Sequence, residues 1–159
     1  MENAILVSGM FLGVIAYWLI ARSYVMPALG KLPRAEALQP LLFLHCFRYI
    51  GMAFLLPGVV AADLSTTFAV TAAYGDLAAA LLALVAVIAL RNQWGMAIGL
   101  VWIFNVVGTL DLLHALPQGV LHIHAGQLGG AYLIPALIVP ALLVSHYLVF
   151  KLLRQRSAG

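Results

Sequence analysis

Five long apolar stretches constrain this chain more than any other feature of its sequence. Each is close to the roughly 20 apolar residues that an α-helix needs to cross the hydrocarbon core of a bilayer. Runs such as LAAALLALVAVIAL are too long for strands and lack the polar–apolar alternation of barrel strands. The sequence therefore predicts an all-α bundle of five transmembrane helices. The stretches cover residues 4–21, 41–62, 68–90, 95–116 and 128–150.

The scarcity of charged residues supports a membrane location. Only 8% of the 159 residues are charged and 65% are hydrophobic, whereas a soluble domain carries roughly 25% charged residues because its surface faces water. The lipid bilayer is therefore the expected surroundings of most side chains, and nucleic acid is not an expected partner. The connecting segments are too short to fold separately, so residues 1–159 are predicted to form a single transmembrane domain.

The distribution of lysine and arginine predicts the orientation. Seven of the eight bases lie in the first loop, the third loop or the tail, which five crossings place on one side: Arg22, Lys31, Arg34, Arg91, Lys151, Arg154 and Arg156. The positive-inside rule then predicts an outside N-terminus and a cytoplasmic C-terminus, in a bacterial-type inner membrane. No base precedes the first stretch, so we expect it to be retained rather than cleaved as a signal peptide.

Arg48 is the one base that lies inside an apolar stretch. A charge at the bilayer centre costs about 2.5–3.5 kcal/mol even on a permissive scale, so Arg48 requires a carboxylate, water or a bound anion. With a rise of about 1.5 Å per residue, Arg48 lies roughly 20 Å below the outer end of its helix and Asp76 roughly 12 Å below the outer surface. Since an arginine side chain is long, Arg48 and Asp76 are predicted to form an intramembrane ion pair.

The fourth stretch carries polar residues at graded depths, in the segment FNVVGTLDLLH (residues 104–114). Asn105 lies roughly 16 Å below the outer surface, Asp111 roughly 8 Å, and His114 near the mouth. Asp111 and His114 are three residues apart and therefore share a helix face. Together with Arg48 and Asp76, these residues predict an outward-facing polar pocket.

Five residues form the predicted ligand-binding set: Arg48, Asp76, Asn105, Asp111 and His114. In this hypothesis Arg48 holds an anionic or carbonyl group and Asp76 balances its charge. Asn105 orients the ligand, while Asp111 and His114 gate the mouth or relay protons. The competing interpretation is structural, because polar side chains also join helices without any ligand. Gly51, Gly75 and Gly108 leave room near these depths for a ligand or for a neighbouring helix.

The histidines give two further hypotheses. His45 and His146 lie at matching depth on different helices, as the two axial ligands of a haem would. His122 and His124 form a His-x-His pair in the fourth loop, which predicts a zinc or copper site if His114 and Asp111 join them. Hydrogen bonding to neighbouring helices is the simpler explanation of the intramembrane histidines. The sequence leaves the identity of any cofactor open.

Three functions remain open at this stage. The leading one is binding of a small or amphipathic ligand in the polar pocket, for transport or sensing. The alternatives are a haem- or metal-dependent redox protein or enzyme, and an accessory or structural subunit that self-associates or joins a membrane complex. The sequence contains no nucleotide-binding, metalloprotease or hydrolase motif of the usual kinds, so it determines no enzymatic activity.

Overall fold

The computed structural model describes residues 1–155, and within that part of the chain the protein is all-helical, with no β-strand. Five helices are long and apolar enough to cross a membrane. They are α1 (Glu2–Leu29), α2 (Arg34–Leu55), α3 (Thr66–Arg91), α4 (Ala97–His122) and α5 (Ile134–Arg154). A short 3₁₀ segment, Ala125–Tyr132, precedes α5. The predicted all-α fold with five candidate spans is confirmed.

Helix α2 differs most from its predicted bounds. It begins at Arg34 and ends at Leu55, seven residues before the expected start and end at 41 and 62. The early end follows from Pro57, because the residue before a proline is disfavoured in the helical conformation. Leu56 accordingly has an extended backbone, and Gly58 then turns the chain with a φ of +82°.

Helix α4 continues past its predicted end at 116, through Pro117, to His122. Its last turn is held by the N-terminus of α1. The Asn3 amide donates to the carbonyls of Val120 at 3.2 Å and Ile123 at 2.9 Å. These bonds satisfy carbonyls that a helix end leaves without partners.

Helix α2 changes type halfway along its length. It is α-helical over Arg34–Cys46 and 3₁₀ over Phe47–Leu55. A 3₁₀ helix has three residues per turn, so Arg48, Gly51 and Phe54 lie on one face, and all three are buried. This face packs against α3. Runs of 3₁₀ helix longer than three or four residues are uncommon, so this stretch of nine residues is unusually long.

Two hydrophobic clusters fill the bundle, one above the other. The first contains Leu42, Val87 and Phe104, and the second contains Phe54 and Leu112. Helix α3 contributes mainly alanines to these contacts, and such small side chains allow helix backbones to approach closely. The buried alanines of α3 are Ala69, Ala72, Ala73, Ala79, Ala80, Ala83, Ala86 and Ala89.

Different hydrogen bonds join the chain segments at the two ends of the bundle. At the N-terminal end, where α1 starts, the Gln127 amide donates to the Asp63 carboxylate at 3.0 Å and joins the α2–α3 loop to the α4–α5 loop. At the C-terminal end, where α5 finishes, Arg34 donates to the Gln155 carbonyl at 3.0 Å. Arg156 lies outside the described residues. The cluster containing Leu42 is nearer the C-terminal end and is called the C-terminal cluster below; the other is the N-terminal cluster.

Candidate functional site: a buried arginine beside an apolar cavity

A layer of buried polar side chains separates the two hydrophobic clusters. Six polar or charged residues are buried among residues 1–155, and all of them lie in this layer: His45, Arg48, Asp76, Asn105, Ser145 and His146. They come from α2, α3, α4 and α5. Asp111 on α4 is half-buried and bonds to Arg48. These seven residues are called the polar cluster.

Arg48 lies at the centre of the polar cluster, with a side chain that is 0% exposed. Its Nε donates to Asp76 Oδ1 at 2.8 Å and its Nη2 donates to Asp111 Oδ2 at 2.6 Å. Its Nη1 donates to the Gly108 carbonyl at 3.1 Å. The predicted ion pair with Asp76 is confirmed. Because protein acceptors surround the guanidinium, Arg48 does not have the position expected of a residue that holds an anionic ligand.

The second carboxylate partner, Asp111, was not expected at this depth. Arg48 lies seven residues before the end of α2, about 14 Å at the 3₁₀ rise of about 2.0 Å per residue. Asp111 lies eleven residues before the end of α4, about 16 Å at the α-helical rise. The longer α4 and the stretched α2 therefore bring both residues to one level, which a uniform helical rise over the apolar stretches did not predict.

Asn105 and His146 extend the polar cluster towards α5. Arg48 Nη1 lies 3.4 Å from His146 Nε2, and His146 Nδ1 lies 2.7 Å from Asn105 Oδ1. A guanidinium only donates, so Nε2 accepts and the ring proton is on Nδ1, where it is donated to Asn105. The Asn105 amide returns a bond to the His146 carbonyl at 3.2 Å. Asn105 therefore orients His146 and does not face a ligand.

His45 and His146 lie at the same depth, as expected, but their rings pack directly together. The ring centroids are 4.1 Å apart, and His45 Nε2 bonds to Ser145 Oγ at 2.9 Å. A bis-histidine haem requires the two rings to face each other across the iron, and this arrangement leaves no space for a macrocycle. The haem hypothesis for this pair does not fit the geometry. The Nδ1 atom of His45 is buried without a hydrogen-bond partner among residues 1–155.

Three glycines make room for the polar cluster. A Cβ atom on Gly51 would overlap the Asp76 carboxylate, and one on Gly75 would overlap the Asp111 carboxylate. A Cβ on Gly108 would lie 2.9 Å from Arg48 Nη1 and 2.8 Å from the His146 ring. The space that these glycines leave is therefore filled by side chains of the polar cluster, and not by a ligand.

An apolar cavity of about 60 Å³ lies next to the two carboxylates, on the side of the N-terminal cluster. Asp76 and Asp111 are the charged residues that line it, with side chains 12% and 16% exposed. The apolar and small residues of the wall are Leu6, Met10, Phe54, Phe68, Ala72, Leu112, Ala115, Leu116, Gly119, Val120, Leu128, Ile134, Pro135 and Val139. The cavity thus has mainly apolar walls and two carboxylates at one side, which we call its floor.

Helix α5 is irregular where it lines the cavity. Residues Ile134–Ile138 form a π-turn. Pro140 has no N–H to donate to the carbonyl four residues earlier, and the turn before it is widened. This irregularity, which apolar periodicity does not reveal, is one feature of the site that sequence reasoning missed.

Two grooves adjoin the cavity. An apolar groove between α1 and α4 shares Met10, Leu116 and Val120 with the cavity wall. A more polar groove between α3 and α4 shares Phe68, Ala72 and Ala115 with it. The apolar groove lies on the side of the bundle, whereas the polar groove lies near the N-terminal end.

His114, His122 and His124 lie away from the polar cluster. His114 and His122 line the polar groove, and Asp111 bonds to Arg48, with no hydrogen bond to His114 in the described part of the chain. His124 is exposed, at the start of the 3₁₀ segment. No group of three or more His, Cys, Asp or Glu within residues 1–155 is placed to hold a metal ion. The metal hypothesis for His122 and His124 therefore lacks the additional ligands that it required.

Comparison with known proteins places the chain in a family. Residues 5–154 match the model of a domain of unknown function, DUF8737, and the chain belongs to that family. The matched range contains the whole polar cluster and all the residues that line the cavity. No curated protein matches the chain, and no solved structure matches it.

Proposed function

We propose that this member of the DUF8737 family is a multi-pass membrane protein that binds a small amphipathic molecule in the cavity above Asp76 and Asp111. One observation carries the proposal. Two carboxylates form the floor of a cavity whose other walls are apolar or small. Binding sites for small molecules typically have this character, with apolar walls and a few polar groups that fix orientation.

The cavity is accessible to a ligand only from the N-terminal half of the bundle. On the other side of the polar cluster, Leu42, Val101 and Phe104 are fully buried in the C-terminal cluster and close the bundle. A ligand in the cavity therefore has no path towards the C-terminal end in this conformation. Sensing needs only this state, whereas transport requires a second state in which the C-terminal cluster opens.

We further propose that the N-terminal end faces the outside of a bacterial-type inner membrane. Seven of the eight bases lie in segments assigned to the opposite side, as the positive-inside rule requires. In a background with Cys46→Ser, we expect Ala62→Cys to react with a membrane-impermeant maleimide in intact cells. Lys31→Cys is expected to react only after permeabilisation. The reverse labelling pattern would contradict this orientation.

The cavity itself is tested by filling it. Ala115→Trp places an indole in the cavity, one helical turn from Asp111, so we expect amphipathic molecules that co-purify with the wild-type protein to be lost. Leu113→Trp is the matched control, because Leu113 is on the same helix and 56% exposed, away from the cavity. Mass spectrometry of extracts from both proteins gives the measurement. Equal retention by the two variants would disprove binding in the cavity.

A structural role is the competing function, and the polar cluster itself favours it. Arg48, Asp76, Asn105 and His146 join four helices through direct hydrogen bonds, which is useful to a subunit of a membrane complex or a homo-oligomer without any ligand. This function predicts that Ala115→Trp changes neither the co-purified molecules nor the activity of the assembly.

A further inference from the structure

We infer that the ligand is an alkylammonium: an apolar chain with one cationic head that donates hydrogen bonds. This inference rests on the proposed function and specifies the chemical class that the cavity accepts. It reverses the expectation from sequence, in which Arg48 was to hold an anionic or carbonyl group.

The charge of the site is the first argument. Asp76 and Asp111 share one guanidinium, so the site carries one net negative charge when both carboxyl groups are ionised. The other lining residues of the cavity carry no charge. An uncompensated charge in apolar surroundings is strongly unfavourable. A ligand with a single positive charge removes that cost, whereas an anion increases it.

The hydrogen-bonding capacity of the carboxylates is the second argument. Each aspartate uses one oxygen for Arg48: Oδ1 of Asp76 and Oδ2 of Asp111. The other oxygen of each, Oδ2 of Asp76 and Oδ1 of Asp111, packs against Gly51 and Gly75 respectively and accepts no hydrogen bond from residues 1–155. An ionised carboxylate has about four acceptor positions, so acceptors remain for N–H groups of a ligand. Arg48 has no comparable surface to offer, because its side chain is 0% exposed.

A bare metal ion fits the site less well than an ammonium does. Oxygen-seeking cations such as Ca²⁺ and Mg²⁺ require about six oxygen ligands. The residues that line the cavity supply the two carboxylates and otherwise apolar or small side chains. A primary ammonium needs at most three acceptors and brings an alkyl chain that matches the apolar wall.

The apolar groove between α1 and α4 provides space for the alkyl chain of the ligand. The cavity of about 60 Å³ accommodates a small head and a few methylenes. The groove between α1 and α4 continues the wall with Val7, Phe11 and Leu121. This groove lies on the side of the bundle, so a ligand dissolved in the bilayer reaches it laterally. Burial of methylenes favours transfer of the ligand from water but contributes little to its transfer from lipid, so the head determines selectivity.

The test compares three probes that differ only in the head: dodecylamine, dodecanol and dodecanoate. Each is titrated into the purified protein in the same neutral detergent. The shift in the midpoint temperature of unfolding, measured against probe concentration, gives an apparent Kd. We expect dodecylamine to bind at least about tenfold more tightly than the other two. Asp111→Asn keeps the Arg48–Asp76 pair and removes the excess negative charge, so we expect it to abolish this preference.

The outcomes separate this inference from the proposed function. If all three probes bind equally, or dodecanoate binds best, and Ala115→Trp abolishes binding, the ligand class is wrong but the cavity is a binding site. If Ala115→Trp leaves the midpoint shifts of all three probes unchanged, the proposed function itself fails. If Asp111→Asn does not fold, the preference of the wild-type protein and the response of Ala115→Trp still decide both questions.

Discussion

Replacing Arg48 with leucine is expected to lower the free energy of unfolding by about 3–5 kcal/mol, because it leaves two buried carboxylates without their shared partner. The substitution also removes the N–H groups that donate hydrogen bonds to the Gly108 carbonyl and to His146 Nε2. Titration of the purified protein with sodium dodecyl sulfate, followed by the loss of helical signal, measures the change. A loss below about 1 kcal/mol would show that the ion pairs contribute little.

A compensated variant distinguishes unpaired charge from lost packing. In Arg48→Leu combined with Asp76→Asn and Asp111→Asn, the buried charges are removed together. Replacing a whole buried ion pair by well-packed apolar residues is often close to neutral for stability, and the large cost arises when one charge is left unpaired. We therefore expect the triple variant to recover at least half of the stability that Arg48→Leu loses. If it is no more stable than Arg48→Leu, shape rather than charge explains the effect.

The second large effect is expected at Gly75. A methyl group on Gly75 overlaps the Asp111 carboxylate, so Gly75→Ala has to move Asp111 off Arg48 or separate α3 from α4. Overpacking costs about 1–3 kcal/mol, and loss of a buried pair adds to it. We expect a loss of at least about 3 kcal/mol in the same sodium dodecyl sulfate titration.

Gly99→Ala is the matched control for this prediction, because nothing lies within 4 Å of a Cβ at Gly99. There the better helix propensity of alanine is expected to leave stability unchanged or raise it by up to about 1 kcal/mol. Asp111→Ala is expected to suppress part of the Gly75→Ala defect, since it removes the overlapping carboxylate while Asp76 still pairs with Arg48. Equal effects of Gly75→Ala and Gly99→Ala would refute this account of Gly75.

The two predictions bear on function as well as stability. Arg48 stabilises the two carboxylates and sets the spacing between them, so the cavity depends on Arg48 although Arg48 does not line it. In our proposal, the role first expected for Arg48, direct contact with the ligand, passes to Asp76 and Asp111. Variants at Arg48 therefore report on the integrity of the site, whereas Asp111→Asn reports on the charge that a ligand meets.

Much of the polar cluster was predictable from the sequence. An arginine inside an apolar stretch requires a partner, and the helical rise identified Asp76. The depth match between His45 and His146 was also correct, because both residues lie in the α-helical parts of their helices. A depth estimate does not give the rotation of each helix about its own axis, which decides which way a side chain faces. The two histidines consequently face each other at contact distance and not across a cofactor.

The lengths of the apolar stretches by themselves determined the all-helical fold with five candidate spans, because helices satisfy their own backbone hydrogen bonds where water is scarce. Tertiary structure decided the site. The 3₁₀ stretch in α2 and the extra turns of α4 brought Arg48 level with Asp111, and the missing Cβ atoms of Gly51 and Gly75 let the carboxylates close around the guanidinium. The acceptors that face the cavity are therefore acidic, because Arg48, the only lysine or arginine buried among residues 1–155, lies behind them. The order of residues along the chain does not show this arrangement.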